Sequence, residues 1–269
     1  MMPVRPRLGQ HFLSDRSALE RIAAASARPG DTVIEIGPGR GALTRPLLRR
    51  AHRVIAVELD DGLAAELSGR CGHPRNLEVV RGNILDLDLR RILKDRDPSR
   101  SVMAGNLPYY VTSPIVRSAL ASARLIRSAT FLVQEEVADR IVAKPGSRSF
   151  GYLSCLCQLH SKPAKLFSLG PAAFSPPPKV RSAAIRLAMR QGSPPEGLLS
   201  FLRACFRSPR KTLRNNLAGR YSRSRLAADK CSGLRAQQLG LAELAAMWER
   251  LEAQDPRTPT TTRSVHVGC

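Results

Sequence analysis

"TVIEIGPGRGALT", residues 32–44, passes from a β-branched apolar run into three alternating glycines (37, 39, 41) and then into the amphipathic stretch "LTRPLLRRA" (43–51). An apolar run of that length bounded by glycine reads as a buried strand, and the amphipathic stretch has helical spacing. Glycines in the turn between them let the backbone approach a ligand where a Cβ would stand in the way. Strand, glycine turn and helix in this order open a nucleotide-type α/β unit.

Outward from this unit the pattern repeats. Strands are predicted at "RVIAVEL" (53–59), "LEVVRG" (77–82), "SVMAGN" (101–106), "ATFLVQ" (129–134), "AKLFSL" (164–169) and "SAAIRLAM" (182–189). Helical stretches such as "ALERIAAASA" (18–27) and "SPIVRSALASA" (113–123) lie between most of them. Such alternation predicts a doubly wound, mainly parallel sheet covered by helices on both faces. After the linker "QGSPPEG" (191–197) the strands stop and only helical segments remain. The expected organisation is an α/β catalytic domain over 9–190 and a small all-helical domain over 191–254. Short disordered ends are expected at 1–8 and 255–269.

Composition narrows the partner. Lys and Arg number 43 against 22 Asp and Glu, a formal net charge of +21, and 36 of the 43 are Arg. An excess of this size points to a polyanion, most often nucleic acid. Arg also suits phosphate forks and base stacking better than Lys. There is no apolar run long enough to span a membrane and no signal-peptide core at the start, so a cytoplasmic protein is expected. Six cysteines without paired CxxC spacing read as reduced thiols, and no metal site is expected.

Glu58 lies 21 residues after Gly37, at the tip of the second strand. An acid there can accept both ribose hydroxyls of an adenosine-type ligand. The spacing G-x-G-x-G departs from the dinucleotide pattern G-x-G-x-x-G and favours S-adenosyl-L-methionine over a nicotinamide cofactor. A nicotinamide oxidoreductase would also want a proton donor, and His52 and His73 fall in polar linkers.

The stretch "NLPYYVTSPI" (106–115) places an amide, a proline and two of the four tyrosines at the end of the fourth predicted strand. The exocyclic amine of adenine is a poor nucleophile because its lone pair is delocalised into the ring. A corner of acceptors alone can draw that nitrogen towards tetrahedral geometry. Asn106 offers a side-chain carbonyl, the Leu107–Pro108 peptide a backbone one, and Pro108 brings no N–H to compete. Tyr109 can lie flat on a base that has left its stack. For Tyr110 a second reading stays open, packing in a strand-end turn.

These motifs, with "GQHFL" (9–13), "VELD" (57–60), "VQEEVADRIVAKPGS" (133–147), "FSPPPKVRSAAIRL" (174–187) and "RKTLRNNL" (210–217), resemble the KsgA-type ribosomal RNA adenine N6-dimethyltransferase family. The resemblance covers Gly9 to about Leu251 and implies a Rossmann-like S-adenosylmethionine-dependent methyltransferase sheet with a C-terminal helical domain. It further implies dimethylation of two adjacent adenosines in the 3′-terminal hairpin of 16S rRNA, within the 30S subunit or its precursor. By resemblance, His11 and Leu13 close over the cofactor, and Gly37 and Gly39 lie against it. Glu58 would hold its ribose, Asn83 meet its adenine, and Asn106 touch both methyl donor and target amine. Phe174 would stack on the target base opposite Tyr109. A monomer is the expected state.

Two positions depart from the family pattern. Asn83 stands where an acid is usual, so restoring it (Asn83→Asp) is expected to tighten cofactor binding or leave it equal. Arg181 replaces an acid in "PKVDSA". Two further readings share the fold: a large-subunit 23S rRNA adenine methyltransferase of the antibiotic-resistance type, and a non-catalytic assembly factor. "FSPPPKVRSA" with "RKTLRNNL" favours the small-subunit enzyme over the first, and the intact glycine turn and amide corner favour catalysis over the second. For RNA, the basic residues Arg203, Arg207, Arg210, Lys211 and Arg214 fall at helical spacing and predict one continuous stripe for phosphate contact, with Arg207, Arg210, Lys211 and Arg214 as its binding residues.

Overall fold

The computed structural model describes residues 11–94 and 96–253; the expected disordered ends at 1–8 and 255–269 lie outside them. The described strands are β1 (Phe12–Leu13), β2 (Thr32–Ile36), β3 (Arg53–Glu58), β4 (Leu77–Arg81), β5 (Ser101–Asn106), β6 (Ser128–Gln134), β7 (Ser161–Leu169), β8 (Phe174–Ser175) and β9 (Ser182–Met189). Helices α1 (Arg16–Ser26), α2 (Thr44–Leu48), α3 (Asp61–Arg70), α4 (Leu89–Ile92), α5 (Thr112–Ala121), α6 (Glu135–Val142) and α7 (Tyr152–His160) alternate with them. Helices α8 (Leu198–Cys205), α9 (Leu213–Leu217), α10 (Arg223–Ala228) and α11 (Leu241–Ala253) come after the last strand.

Seven strands form one sheet in the order β4-β3-β2-β5-β6-β9-β7. The pairs from β4 to β6 are parallel, and β9 runs antiparallel to both β6 and β7. All five residues of β2 are buried, as expected of a parallel strand covered on both faces. Each fully buried aliphatic side chain, such as Ile34 or Ile55, contributes about 1.5–3 kcal/mol. The strand order reverses between β2 and β5, which opens a crevice at their carboxyl ends.

Short polar side chains start the helices that flank this crevice. Asp15 caps α1 by accepting from the Ala18 N–H, and Asp60 caps α3 by accepting from Gly62 and Leu63. Two further strands were not legible as such. β1 and β8 form an antiparallel ribbon, Phe12 opposite Ser175 and Leu13 opposite Phe174. Two residues give no periodic signal.

The described residues fall into two units. One holds residues up to 143 together with 156–193, and the other holds 144–155 together with the residues from 194 on. The linear boundary expected at 190/191 misses the segment 144–155. That segment belongs with the helices because the Gly146 N–H donates to the Gln237 carbonyl (2.7 Å) and Phe150 meets Phe206 edge-on at 6.1 Å.

The continuous basic helix from 203 to 214 is not formed. Helix α8 ends at Cys205 and α9 begins at Leu213. Pro209 lies between them, and a proline both removes an N–H and disfavours helical geometry in the residue before it. Asn216 holds the resulting loop: its Nδ2 donates to the Cys205 and Ser208 carbonyls and its Oδ1 accepts from the Ser208 N–H.

Candidate functional site

A cavity of about 210 Å³ occupies the crevice at the ends of β2, β3, β4 and β5. Its lining includes His11, Leu13, Gly37, Glu58, Asn83 and Asn106. The turn after β2 is made of left-handed glycines, with φ +63° at Gly37 and +57° at Gly39. A Cβ on Gly37 would meet nothing within 4 Å, so a side chain there would grow into the cavity itself. One on Gly39 would stand 3.0 Å from Cε1 of Phe12. The Gly39 N–H donates to Oε2 of Glu58 and the Asp60 N–H to Oε1, both at 3.0 Å. Glu58 is thus fixed at the tip of β3, only 5% exposed, with lone pairs left on both oxygens.

Glu35 forms part of the same floor. It is fully buried on β2, and loss of solvent pushes its carboxyl up to about 8, with nearby Glu58 adding to the effect. At neutral pH Glu35 therefore stands in the floor mainly as a carboxylic acid. Sequence reasoning missed Glu35 because a strand-interior glutamate gives no motif of its own.

Asn83 lines the cavity, and its side chain is engaged locally. Its Oδ1 accepts from the Leu85 N–H (3.1 Å) and its Nδ2 donates to Oδ2 of Asp86 (3.0 Å). The acid absent at 83 thus stands three residues later, and the amide is its partner. Asn83→Asp would set two carboxylates against each other and remove the donor. The sequence-based expectation of tighter binding is therefore revised: the variant should bind S-adenosylmethionine about three- to ten-fold more weakly, the loss of one hydrogen bond. Adding Asp86→Asn should recover the affinity, and titration calorimetry of the single and double variants checks both.

At the end of β5 the amide corner takes a definite form. Nδ2 of Asn106 donates to the His11 carbonyl (3.1 Å), and Oδ1 is left without a partner among the described residues. The Leu107 N–H donates to the Leu132 carbonyl (3.0 Å), while the Leu107 oxygen accepts nothing among the described residues. Pro108 begins a 3₁₀ turn over Tyr109–Val111. The Tyr109 hydroxyl bonds to that of Ser182 at 2.7 Å, and its ring centroid lies 5.8 Å from that of His11. Burial pushes the Tyr109 phenol up, so it stays protonated. His11 in turn donates from Nδ1 to the Pro176 carbonyl (2.8 Å).

The sequence reading also passed over Gly105. A Cβ there would lie 2.7 Å from the Ile36 backbone oxygen, so only glycine lets β5 approach the end of β2 this closely and bring Asn106 beside the glycine turn.

Phe174 is placed otherwise than expected. It is 4% exposed, sits in the apolar core with Leu13, Leu19 and Leu169, and does not line the cavity. Its pairing with Leu13 in the ribbon turns the ring inward. Stacking opposite Tyr109 is not available to it in this arrangement. Arg181 gains an explanation: its Nε donates to Oε2 of Glu135 (2.8 Å). Together with Lys165 and Ser168 it holds that carboxyl down to about 2.

In the second unit Arg207, Arg210, Lys211 and Arg214 are exposed and make no ion pair among the described residues. They sit on the loop between α8 and α9 and on the first turn of α9 rather than along one helix. Arg214 reaches the Ser232 hydroxyl at 3.3 Å.

The floor and walls fit an adenosine-type methyl donor: open space over Gly37, a fixed carboxylate at the tip of the neighbouring strand, and apolar sides from Phe12 and Ile84. Comparison with known proteins agrees. Residues 1–242 match the family model described as ribosomal RNA adenine dimethylase. The small-subunit ribosomal RNA methyltransferase A of Acidobacterium capsulatum is 42% identical over 92% of this chain and 91% of its own length. That of Synechococcus elongatus is 42% identical over 84% of this chain and 86% of its own. Among solved structures, a dimethyladenosine transferase from Plasmodium falciparum superposes with a TM-score of 0.77 at 24% identity, covering 90% of this chain and 98% of that one. The 23S rRNA methyltransferase ErmE gives 0.68 at 29% identity, covering 90% and 99%.

Proposed function

Since the chain belongs to the ribosomal RNA adenine dimethylase family, we propose that it dimethylates the N6 amine of two adjacent adenosines in the 3′-terminal hairpin of 16S rRNA, acting as a cytoplasmic monomer on the 30S subunit or its precursor. The chain is a methyltransferase whose cofactor is S-adenosyl-L-methionine. The relatives matched at 41–42% identity all modify the small subunit, which favours this reading over a large-subunit enzyme.

The observation that carries the proposal is the acceptor-only corner at the end of β5. When bound, S-adenosylmethionine supplies an electrophilic methyl group. Glu58 would hold the ribose, Gly37 the backbone side of the ligand, and Asn83 or Asp86 the adenine edge. Oδ1 of Asn106 and the Leu107 oxygen would accept the two N–H groups of the target amine, drawing its lone pair towards the methyl. Tyr109 would hold the extruded base by its face, with Ser182 and His11 fixing the ring. No carboxylate stands among Asn106, Leu107, Pro108 and Tyr109, so the amine would release its proton to solvent after transfer rather than to a general base. Radiolabelled methyl transfer to under-methylated small subunits, with the modified bases then mapped, tests the proposal. Label in large-subunit RNA, or none in the 3′-terminal hairpin, would overturn it.

The unpaired cations of the second unit would grip phosphates and carry no sequence information. Replacing Arg207, Lys211 and Arg214 together with Gln should flatten the salt dependence of subunit binding by about 0.7–0.9 log units per lost contact, with cofactor binding unchanged. Filter binding across a salt series measures the slope; an unaltered slope would place the RNA elsewhere.

A further inference from the structure

The reading of Tyr110 as packing in its turn does not hold. Its side chain is 66% exposed, it lines the rim of the cavity, and its hydroxyl makes no hydrogen bond among the described residues. The other tyrosines all have partners: Tyr109 with Ser182, Tyr221 with Glu252, and Tyr152 beneath the guanidinium of Arg203. An aromatic ring left in water forgoes the burial that would otherwise stabilise the fold.

The backbone under this ring is tied by two hydrogen bonds. The Val111 N–H and the Thr112 hydroxyl both donate to the Pro108 carbonyl, at 3.1 and 3.2 Å, and Thr112 opens α5. A 3₁₀ turn advances its side chains by about 120° per residue. Tyr109 therefore faces Ser182 and the cavity, and the next ring is thrown outward beside it. Two aromatic rings thus stand on consecutive residues at one cavity, one partly buried against it and one open at its rim. A ring on a fixed turn also loses little freedom when a base settles on it.

We propose that Tyr110 is a second base platform, stacking on the nucleotide next to the one held at Tyr109, and so helps to select and position the RNA. This rests on the methyl-transfer reading given above. The occupant is a nucleobase rather than an apolar protein surface: the site continues the catalytic cavity, and the chain carries a net charge of +21 suited to a polyanion.

The test is a cycle of variants and substrates. Tyr110→Ala should lower kcat/KM on under-methylated small subunits about ten-fold, within the range set by one base–aromatic stack. Tyr110→Phe and Tyr110→Trp should keep it near wild type. Affinity for S-adenosylmethionine, measured by calorimetry, should not move. Small subunits reconstituted with an abasic nucleotide on the 5′ or the 3′ side of a target adenosine complete the cycle. On one of the two, the wild-type rate should fall by the same factor and Tyr110→Ala should add nothing. If the alanine variant loses the same factor on the intact and on both abasic substrates, the platform is overturned while the methyl-transfer reading stands. A loss of cofactor affinity equal to the loss of rate would assign the ring to the cofactor and overturn it as well. Wild-type protein inert on every substrate would remove the methyl-transfer reading and the platform with it.

Discussion

Asn106→Ala should abolish measurable methyl transfer, lowering the single-turnover rate by at least about 10²-fold, the scale set by misplacing a reacting atom by 1 Å. The amide is held at one end only. Its Nδ2 is tied to the His11 carbonyl, which fixes where Oδ1 points, and nothing else among the described residues shares that oxygen. In the proposed complex, removing it would leave the target amine with the Leu107 carbonyl alone and nothing else drawing its lone pair towards the methyl. Asn106→Asp should fail nearly as badly. It keeps an acceptor but loses the donor to His11, and a carboxylate facing that carbonyl oxygen would turn away. Rapid-quench assays with saturating cofactor separate this loss from any change in binding. An alanine variant within three-fold of wild type would show that the amide does not position the nucleophile.

The second large effect is on the cofactor. Gly39→Arg should leave no S-adenosylmethionine binding detectable by calorimetry at concentrations that saturate the wild type. Three costs act together. The residue sits at φ +57°, where an L side chain is disfavoured by about 1–2 kcal/mol. Its Cβ would press on Phe12 at 3.0 Å. Shifting the turn to relieve either strain would release the N–H that fixes Glu58. Gly39→Ala carries the same backbone strain and the same Cβ contact but brings no long side chain to the cavity, so it should bind about ten-fold or more weakly rather than not at all. Circular dichroism should show both variants folded, because the turn lies beyond the carboxyl end of β2, at the cavity, and not within the strand ladder. Arginine at 39 binding the cofactor as wild type does would remove the glycine turn from the site.

How much of this was legible in the sequence depends on what each element buries. The parallel strands are legible to within a few residues because the central ones, covered on both faces, are built round short apolar runs such as "TVI" (32–34) and "VIAV" (54–57). Strand β7 was started three residues late. It lies at the sheet's edge, where Lys162 and Pro163 are tolerated but look like a linker. The site was legible where chemistry is local: the glycine turn, Glu58, and Asn106 to Tyr109. It was not legible where a role depends on a distant partner. The bond of Ser182 to Tyr109, the close approach at Gly105 and the inward turn of Phe174 exist only once strands far apart in sequence are neighbours. The basic helix failed for a local reason, since charge spacing was counted through Pro209.

The ribbon of β1 and β8 ties the beginning of the described chain to a segment made much later. His11 and Pro176, 165 residues apart, are joined by a hydrogen bond, and Ser14 donates to the Ala173 carbonyl. On a ribosome the chain emerges amino end first. The glycine turn and Glu58 are therefore made long before the residues that bond to His11 and Ser14. A nascent chain that ends before Phe174 lacks the second strand of this ribbon, and closing so long a loop is a late and slow event. The segment that carries His11 and Leu13 along the cavity is thus fastened only as this unit of the chain nears completion.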